Sequence, residues 1–102
     1  MVFDLRFNQQ AHEEFIQAYE WYEEKRSGLG IQFLASVEKW LQQISENPRY
    51  FDVRKSARYR EAKIEHFLYM IVYEFFKQKG IVHIAAIYHS SRNPKRKYRK
   101  MK

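Results

Sequence analysis

The chain has no cysteine, two prolines and three glycines, and no Asp or Glu among its last thirteen residues. The missing cysteine excludes a disulfide framework and a thiolate zinc site, and it fits a reducing cytosol. The three glycines fit turns, and no glycine-rich phosphate loop is present. Residues 1–20 contain no apolar core after a basic start, so no signal peptide is expected. No apolar run approaches the roughly 18 residues a membrane helix needs, so no membrane association is expected. There is no internal repeat and no low-complexity stretch apart from the basic end. A chain of 102 residues is expected to form one domain with a modest core. Eight Phe, eight Tyr and two Trp make that core dense in buried area.

What is present is a sharp division of charge. Ser90 to Lys102 carries seven Lys or Arg, while residues 1–89 hold twelve basic and twelve acidic side chains. The net +7 therefore sits in one short segment. This divides the chain into a neutral body, residues 1–89, and a basic C-terminal tail, residues 90–102. A cationic arm on a neutral body points to an anionic partner: nucleic acid, a nucleoprotein machine or an acidic protein. The plainer alternative is a solubilising tail.

The hydrophobic period changes along the chain. Val2 to Phe7 alternates, placing Phe3, Leu5 and Phe7 on one side of a short strand. Asn8 is a suitable N-cap, and Ala11, Phe15, Ala18, Tyr19 and Tyr22 recur at helical spacing. Lys25 and Arg26 suit a final turn, with Gly28 as the stop. Phe33, Val37, Trp40, Leu41 and Ile44 form the stripe of a second helix, ended by Asn47-Pro48. Arg58 to Ile64, Leu68 to Phe76 and Ile81 to His89 read as strands, the last two joined through Lys77-Gln78-Lys79-Gly80. Residues 48–57 show no periodic pattern. The expected fold is α+β, in the order β-α-α-β-β-β: a small antiparallel sheet with a helical hairpin packed on one face.

Candidate chemistry is sparse. His83 and His89 share parity on one expected strand, so they belong on one face about 20 Å apart, too far to share a metal. No metal site and no cofactor are expected. Glu20, Glu23 and Glu24 read as a solvated helix surface. Tyr19 and Tyr22 fit the buried stripe, whereas Trp21 lies off it. Arg58 and Arg60 share parity on the first strand of the expected sheet, His89 ends the last, and Arg92 follows. If those strands are neighbours, a basic edge with one imidazole results. Metal-independent phosphodiester cleavage needs such a set, with a base, an acid and cations for the phosphate. The alternative is that His89 merely ends the strand and the arginines bind phosphate or carboxylates without turnover.

Ala18-Tyr19-Glu20-Trp21-Tyr22, Gly28-Leu29-Gly30-Ile31-Gln32-Phe33, Ile44-Ser45-Glu46-Asn47-Pro48, Tyr59-Arg60, Tyr69-Met70-Ile71-Val72-Tyr73 and Ala86-Ile87-Tyr88-His89-Ser90-Ser91-Arg92-Asn93-Pro94 occur in the order seen in RelE/ParE-superfamily toxins. The chain resembles that superfamily from Phe7 to about Arg99. The resemblance implies the toxin of a bacterial type II toxin–antitoxin, or plasmid-stabilisation, module. RelE-like members are ribosome-dependent mRNA endonucleases with an Arg directly after the first Tyr of a Tyr-Arg-x-x-Tyr pattern, where it holds the scissile phosphate. Here that position is Met70. The long hairpin and Gly28-Leu29-Gly30 resemble the ParE branch, whose members inhibit DNA gyrase without cutting RNA.

The resemblance thus implies a cytoplasmic, ParE-like growth inhibitor, neutralised by a cognate antitoxin whose amphipathic, partly acidic segment folds along the hairpin or a sheet edge. Its target would be gyrase or, in the alternative, ribosome-bound mRNA. A third reading is an inactive nucleic-acid-binding domain. If the chain is a nuclease, His89, Arg60 and Arg92 are the catalytic candidates. Arg58, Arg60, Arg92, Lys95, Arg96, Lys97 and Arg99 are the candidates for binding the target or nucleic acid.

Overall fold

The computed structural model describes residues 2–51, 58–64 and 66–90, together with the backbone of Val53 and Arg54. Strand β1 (Asp4–Phe7) leads into helix α1 (Gln9–Lys25), which is followed by helix α2 (Leu29–Glu46). Strands β2 (Val53–Arg54), β3 (Tyr59–Lys63), β4 (Tyr69–Phe76) and β5 (Ile81–His89) complete the chain. The sheet order is β1-β5-β4-β3-β2. The expected α+β class and the helical hairpin on a small sheet are both present. Two features were not legible: β1 runs parallel to β5, making the sheet mixed, and a two-residue strand lies inside the aperiodic segment 48–57.

Local chemistry sets the helix boundaries. The Asn8 side chain accepts from the Gln10 N–H at 2.8 Å and so caps α1. Gly28, at φ 90°, supplies the left-handed residue between the helices. Gly30 has a different role, which corrects its reading as a turn residue. A Cβ there would meet the Tyr19 carbonyl oxygen at 2.7 Å and Glu23 Oε1 at 2.8 Å. It is the point where α2 presses on α1. Glu23 is likewise not simply solvated: its carboxylate accepts from the N–H groups of Gly28 and Gly30, both at 2.9 Å. These are amides at the start of α2 that have no partner within the helix, and an acidic side chain suits that positive end.

The main core lies between hairpin and sheet. Phe33 is fully buried, and its ring centroid lies 5.1 Å from Tyr22, 5.2 Å from Phe67 and 5.5 Å from Tyr69. Burying a side chain of this size contributes about 1.5–3 kcal/mol relative to exposure. Ile71, Tyr73, Val82, Ile84 and Ile87 supply the sheet side of this core. The chain after α2 is pinned to the same layer. The buried Tyr73 hydroxyl donates to the Pro48 carbonyl at 2.7 Å, and Arg60 Nη1 donates to the Phe51 carbonyl at 2.6 Å. Burial pushes the Tyr73 phenol up to about 12, against the opposing effects of Arg60 and a backbone hydrogen bond.

A β-bulge decides what each face of the sheet carries. Val72 pairs with Ala86 but Tyr73 pairs with Ile84, leaving Ala85 as an extra residue in β5. Val82 and Ile84 face the helices before the bulge and Ile87 does so after it, while Ala85 and Ala86 both join a cluster on the outer face. Side-chain parity therefore reverses within the strand.

Candidate functional surface

The bulge separates the two strand histidines. His89 lies opposite Tyr69 on the helix-facing side, with ring centroids 5.0 Å apart. His83 lies opposite Glu74 on the outer side. The expectation of a shared face, drawn from unbroken alternation, is therefore corrected.

The two arginines also part. Arg60 pairs in register with Tyr73, and its guanidinium serves the Phe51 carbonyl on the helix side. Arg58, just before β3, turns to the outer face and grips Glu74, with Nε at 2.9 Å and Nη2 at 2.8 Å from Oε2. The shared parity expected for Arg58 and Arg60 fails because Arg58 precedes the strand. Nor do Arg60 and His89 adjoin. They are opposite Tyr73 and Tyr69 on strands two apart, which places their backbones about 16 Å from each other at ordinary sheet spacings. Buried Ala62, Ile71 and Ile87 occupy the sheet between them. Arg92, Lys95, Arg96, Lys97 and Arg99 lie outside the described residues.

The outer face carries two kinds of surface. Around Met70 it is apolar: Tyr59, Val72, Ala85, Ala86 and Tyr88 form a buried cluster, and Met70 packs against it. Lys63, exposed, is the register partner of Met70 on β3. Towards the other end, a polar row crosses four strands in register: Arg6, His83, Glu74 and Tyr59. Glu74 is 4% exposed and His83 2%. Among the described residues, Glu74 Oε1 and His83 Nδ1 are buried with no hydrogen-bond partner. Burial lowers the His83 imidazole from its ordinary range, with Glu74 pulling the other way. The hydrogen bond and charge of Glu74 raise the Arg58 guanidinium further, keeping it a cation. Burial, followed by the Glu74 charge, raises the Tyr59 phenol. Sequence reading missed Glu74 and His83 as a pair, because their adjacency depends on the register and the bulge.

The rest of the surface is set by the hairpin. Trp21 is half exposed, stacked edge-on against Tyr22, with Lys25 Nζ 4.8 Å from its ring centre. Glu14 Oε1 accepts from the Ile87 N–H at 3.2 Å, fastening α1 to β5. Among the described residues, no three His, Asp or Glu side chains converge as metal ligands. No described helix is long and apolar enough to cross a membrane.

The family model for the ParE toxin of the type II toxin–antitoxin system parDE matches residues 5–94. The chain belongs to the ParE toxin family. Its architecture is similar to the chromosomal ParDE toxin–antitoxin system from P. aeruginosa, with TM-score 0.72, 10% identity, and coverage of 86% of this chain and 96% of that one. It is also similar to a double arginine-to-alanine mutant of the E. coli toxin RelE in the free state, with TM-score 0.69, 20% identity, and coverage of 89% and 86%. The same RelE mutant in complex with a peptide of the antitoxin RelB gives TM-score 0.69 at 20% identity, with coverage of 90% and 87%. At these identities the likeness is one of fold. No curated protein sequence matches the chain. It is a toxin of the ParE/RelE type.

Proposed function

We propose that this ParE-family toxin inhibits by binding, with DNA gyrase as its target, and cuts no RNA. The observation that carries this reading is the setting of Met70. At the position where RelE-like members hold the scissile phosphate with an arginine, a thioether packs on an apolar cluster of Tyr59, Val72, Ala85, Ala86 and Tyr88. A thioether neutralises no phosphate charge. The two nearest sequence candidates are engaged elsewhere, Arg58 with Glu74 and Arg60 with the Phe51 carbonyl. The cationic residues Arg92, Lys95, Arg96, Lys97 and Arg99 then supply long-range attraction to the anionic target. A cognate antitoxin silences the toxin in the cytoplasm, in keeping with the solved toxin–antitoxin assemblies of similar fold.

The test is induction of the chain alone, with and without the neighbouring small gene. Growth arrest relieved by that gene, impaired supercoiling by the purified toxin and uncut transcripts are the expected results. Normal growth at full soluble expression would favour an inactive domain. A second reading, ribosome-dependent cleavage, rests on His89, whose partly exposed ring stands at the end of β5 against Tyr69. Under that reading His89 is the acid or base and Arg92 a phosphate cation, while Arg60, held on the Phe51 carbonyl away from His89, drops out of the set. Losing one such group costs about 10²–10⁴ in rate, so His89→Ala would abolish arrest together with cleavage inside codons. Under the binding reading, His89→Ala leaves toxicity within a few-fold. Truncation after Ser91 weakens target binding and flattens its salt dependence.

A further inference from the structure

The neutral body conceals a second uneven distribution of charge. Residues 49–60 hold five cations, Arg49, Arg54, Lys55, Arg58 and Arg60, against one carboxylate, Asp52. The rest of residues 1–89 holds seven basic and eleven acidic side chains, so a segment of net +4 sits on a remainder of net −4. Asp52, Lys55 and the Arg54 side chain lie outside the described residues. Arg58 is neutralised by Glu74. The donation of Arg60 to the Phe51 carbonyl, by contrast, leaves its charge in place and further N–H donors to spare. Arg49 is exposed and makes no ion pair among the described residues; its guanidinium lies 5.3 Å from the centre of the Phe75 ring.

Aromatic rings stand beside these cations. Phe51 lies between Tyr50 and Trp40 of α2, with ring centroids at 4.8 and 5.5 Å and interplanar angles of 80° and 63°. Tyr50 is 56% exposed, and Trp40 and Phe51 are half-buried. The backbone beneath them is fixed at three points. Tyr73 and Arg60 hold the Pro48 and Phe51 carbonyls, and the Tyr50 N–H donates to the Asn47 carbonyl at 3.0 Å. An exposed ring on a fixed backbone loses little freedom when a flat partner settles on it. None of these rings belongs to α1. Trp40, Phe51 and Phe75 pack on the helix-side core, whereas Met70 packs on the outer cluster.

An apolar peptide would cover the rings and leave the cations unpaired, and a plain acidic surface would do the reverse. A single-stranded nucleic acid satisfies both, with bases on the rings and phosphates on the cations. A duplex does not, because its base faces are stacked on one another. We propose that this surface binds a single strand of DNA, with one base on Tyr50 and the adjoining phosphates on Arg49 and Arg60. The choice of DNA rests on the gyrase reading, since DNA is that enzyme's substrate; the stacking contact itself does not. A toxin so equipped grips the strand on which its target works, and not the target alone.

Binding of a fluorescent oligothymidylate to the full chain, read by anisotropy, tests this. Tyr50→Ala, at an exposed position that the core does not need, should weaken it about 5- to 100-fold, the loss of one base stack. Tyr50→Trp should keep or tighten it. A duplex of the same length, drawn to the chain by charge alone, should bind both variants as it binds the wild type. Arg49→Gln should lower the salt slope for the single strand by about 0.7, one phosphate contact. A strand carrying iodouracil should cross-link under ultraviolet light to Tyr50 or Trp40. Unchanged binding by Tyr50→Ala, or cross-links confined to the outer face or to residues beyond Ser91, overturns the proposal. Tighter binding of oligouridylate than of oligothymidylate overturns the assignment to DNA. The assay contains no gyrase, so its outcome and that of the supercoiling test are separate.

Discussion

The two faces of the sheet are built from the same central strands, yet they solve different problems. The helix side is an aromatic and aliphatic layer in which Phe33, Tyr22, Phe67 and Tyr69 interlock and the Tyr73 hydroxyl donates to the Pro48 carbonyl. The outer side buries a smaller cluster, Tyr59, Val72, Ala85, Ala86 and Tyr88, beside a Glu–His pair of which, among the described residues, one atom each lacks a hydrogen-bond partner. Burial of apolar area stabilises without further conditions, whereas buried polar atoms stabilise only when satisfied. The helix side is therefore expected to carry the stability, and the outer side to carry sensitivity to charge and pH.

The largest effect expected is on the helix side. Phe33→Ala should cost about 3–5 kcal/mol, the usual range for a fully buried ring, measured by denaturant unfolding. A loss below about 1 kcal/mol would show that the hairpin repacks freely. Next, Gly30→Ala forces α2 away from the Tyr19 carbonyl and Glu23, and should cost about 1–3 kcal/mol by overpacking. It should also release the capping carboxylate, visible as altered Gly28 and Gly30 amide shifts.

On the outer face, Arg58→Ala strands the Glu74 carboxylate, whose side chain is 5% exposed. Such an uncompensated group costs about 1–3 kcal/mol. Adding Glu74→Leu should recover most of that loss, because it removes the stranded carboxylate and puts apolar packing in its buried place. A double variant as unstable as the single one would contradict this account.

The smallest effect is on pH dependence. His83 has a folded pKa below its ordinary value of 6.5. The unfolded chain therefore binds the proton more readily, and the contribution of this group to stability is complete above about pH 6.5. It declines as pH falls from there to the depressed folded value, by no more than about 1.4 kcal/mol per pH unit. Glu74 moderates the decline; Arg6 and Tyr59 are the other titratable groups of the row, and Arg58 joins it only through Glu74. Comparing stability at pH 7.5 and 5.5 in wild type and His83→Gln isolates it. An identical pH profile in both would remove His83 from the account.

How much of this was legible depends on whether a feature is local. The spacing of Ala11, Phe15, Ala18 and Tyr22 and the Asn8 cap define α1 within a few turns of chain, and the structure carries both; the helix itself stops at the extended Arg26, two residues before the expected Gly28, which instead opens α2. Trp21, off the stripe, is exposed as its position implied. The α+β order and the ParE/RelE-type resemblance were likewise readable, because period and turn chemistry are properties of short segments. Long-range relations were not. Glu23 serves α2 because Gly30 lets the helices touch, and Glu14 serves β5 because α1 lies over it.

Residue types and their local periods by themselves determined both helices, strands β1, β3, β4 and β5 in their order, the neutral body and the cationic end, but not the two-residue β2. Tertiary structure alone decided which side chains meet. One extra residue, Ala85, reverses parity in β5, sending His83 to the outer face and His89 to the helix face. Register then sets His83 against Glu74, and Arg58, lying ahead of β3, reaches that carboxylate while Arg60 turns to Phe51. The physical reason is that a period-two strand has no tolerance for insertion. A single unpaired residue exchanges the two faces for everything that follows, and only pairing with a neighbouring strand shows where that residue lies.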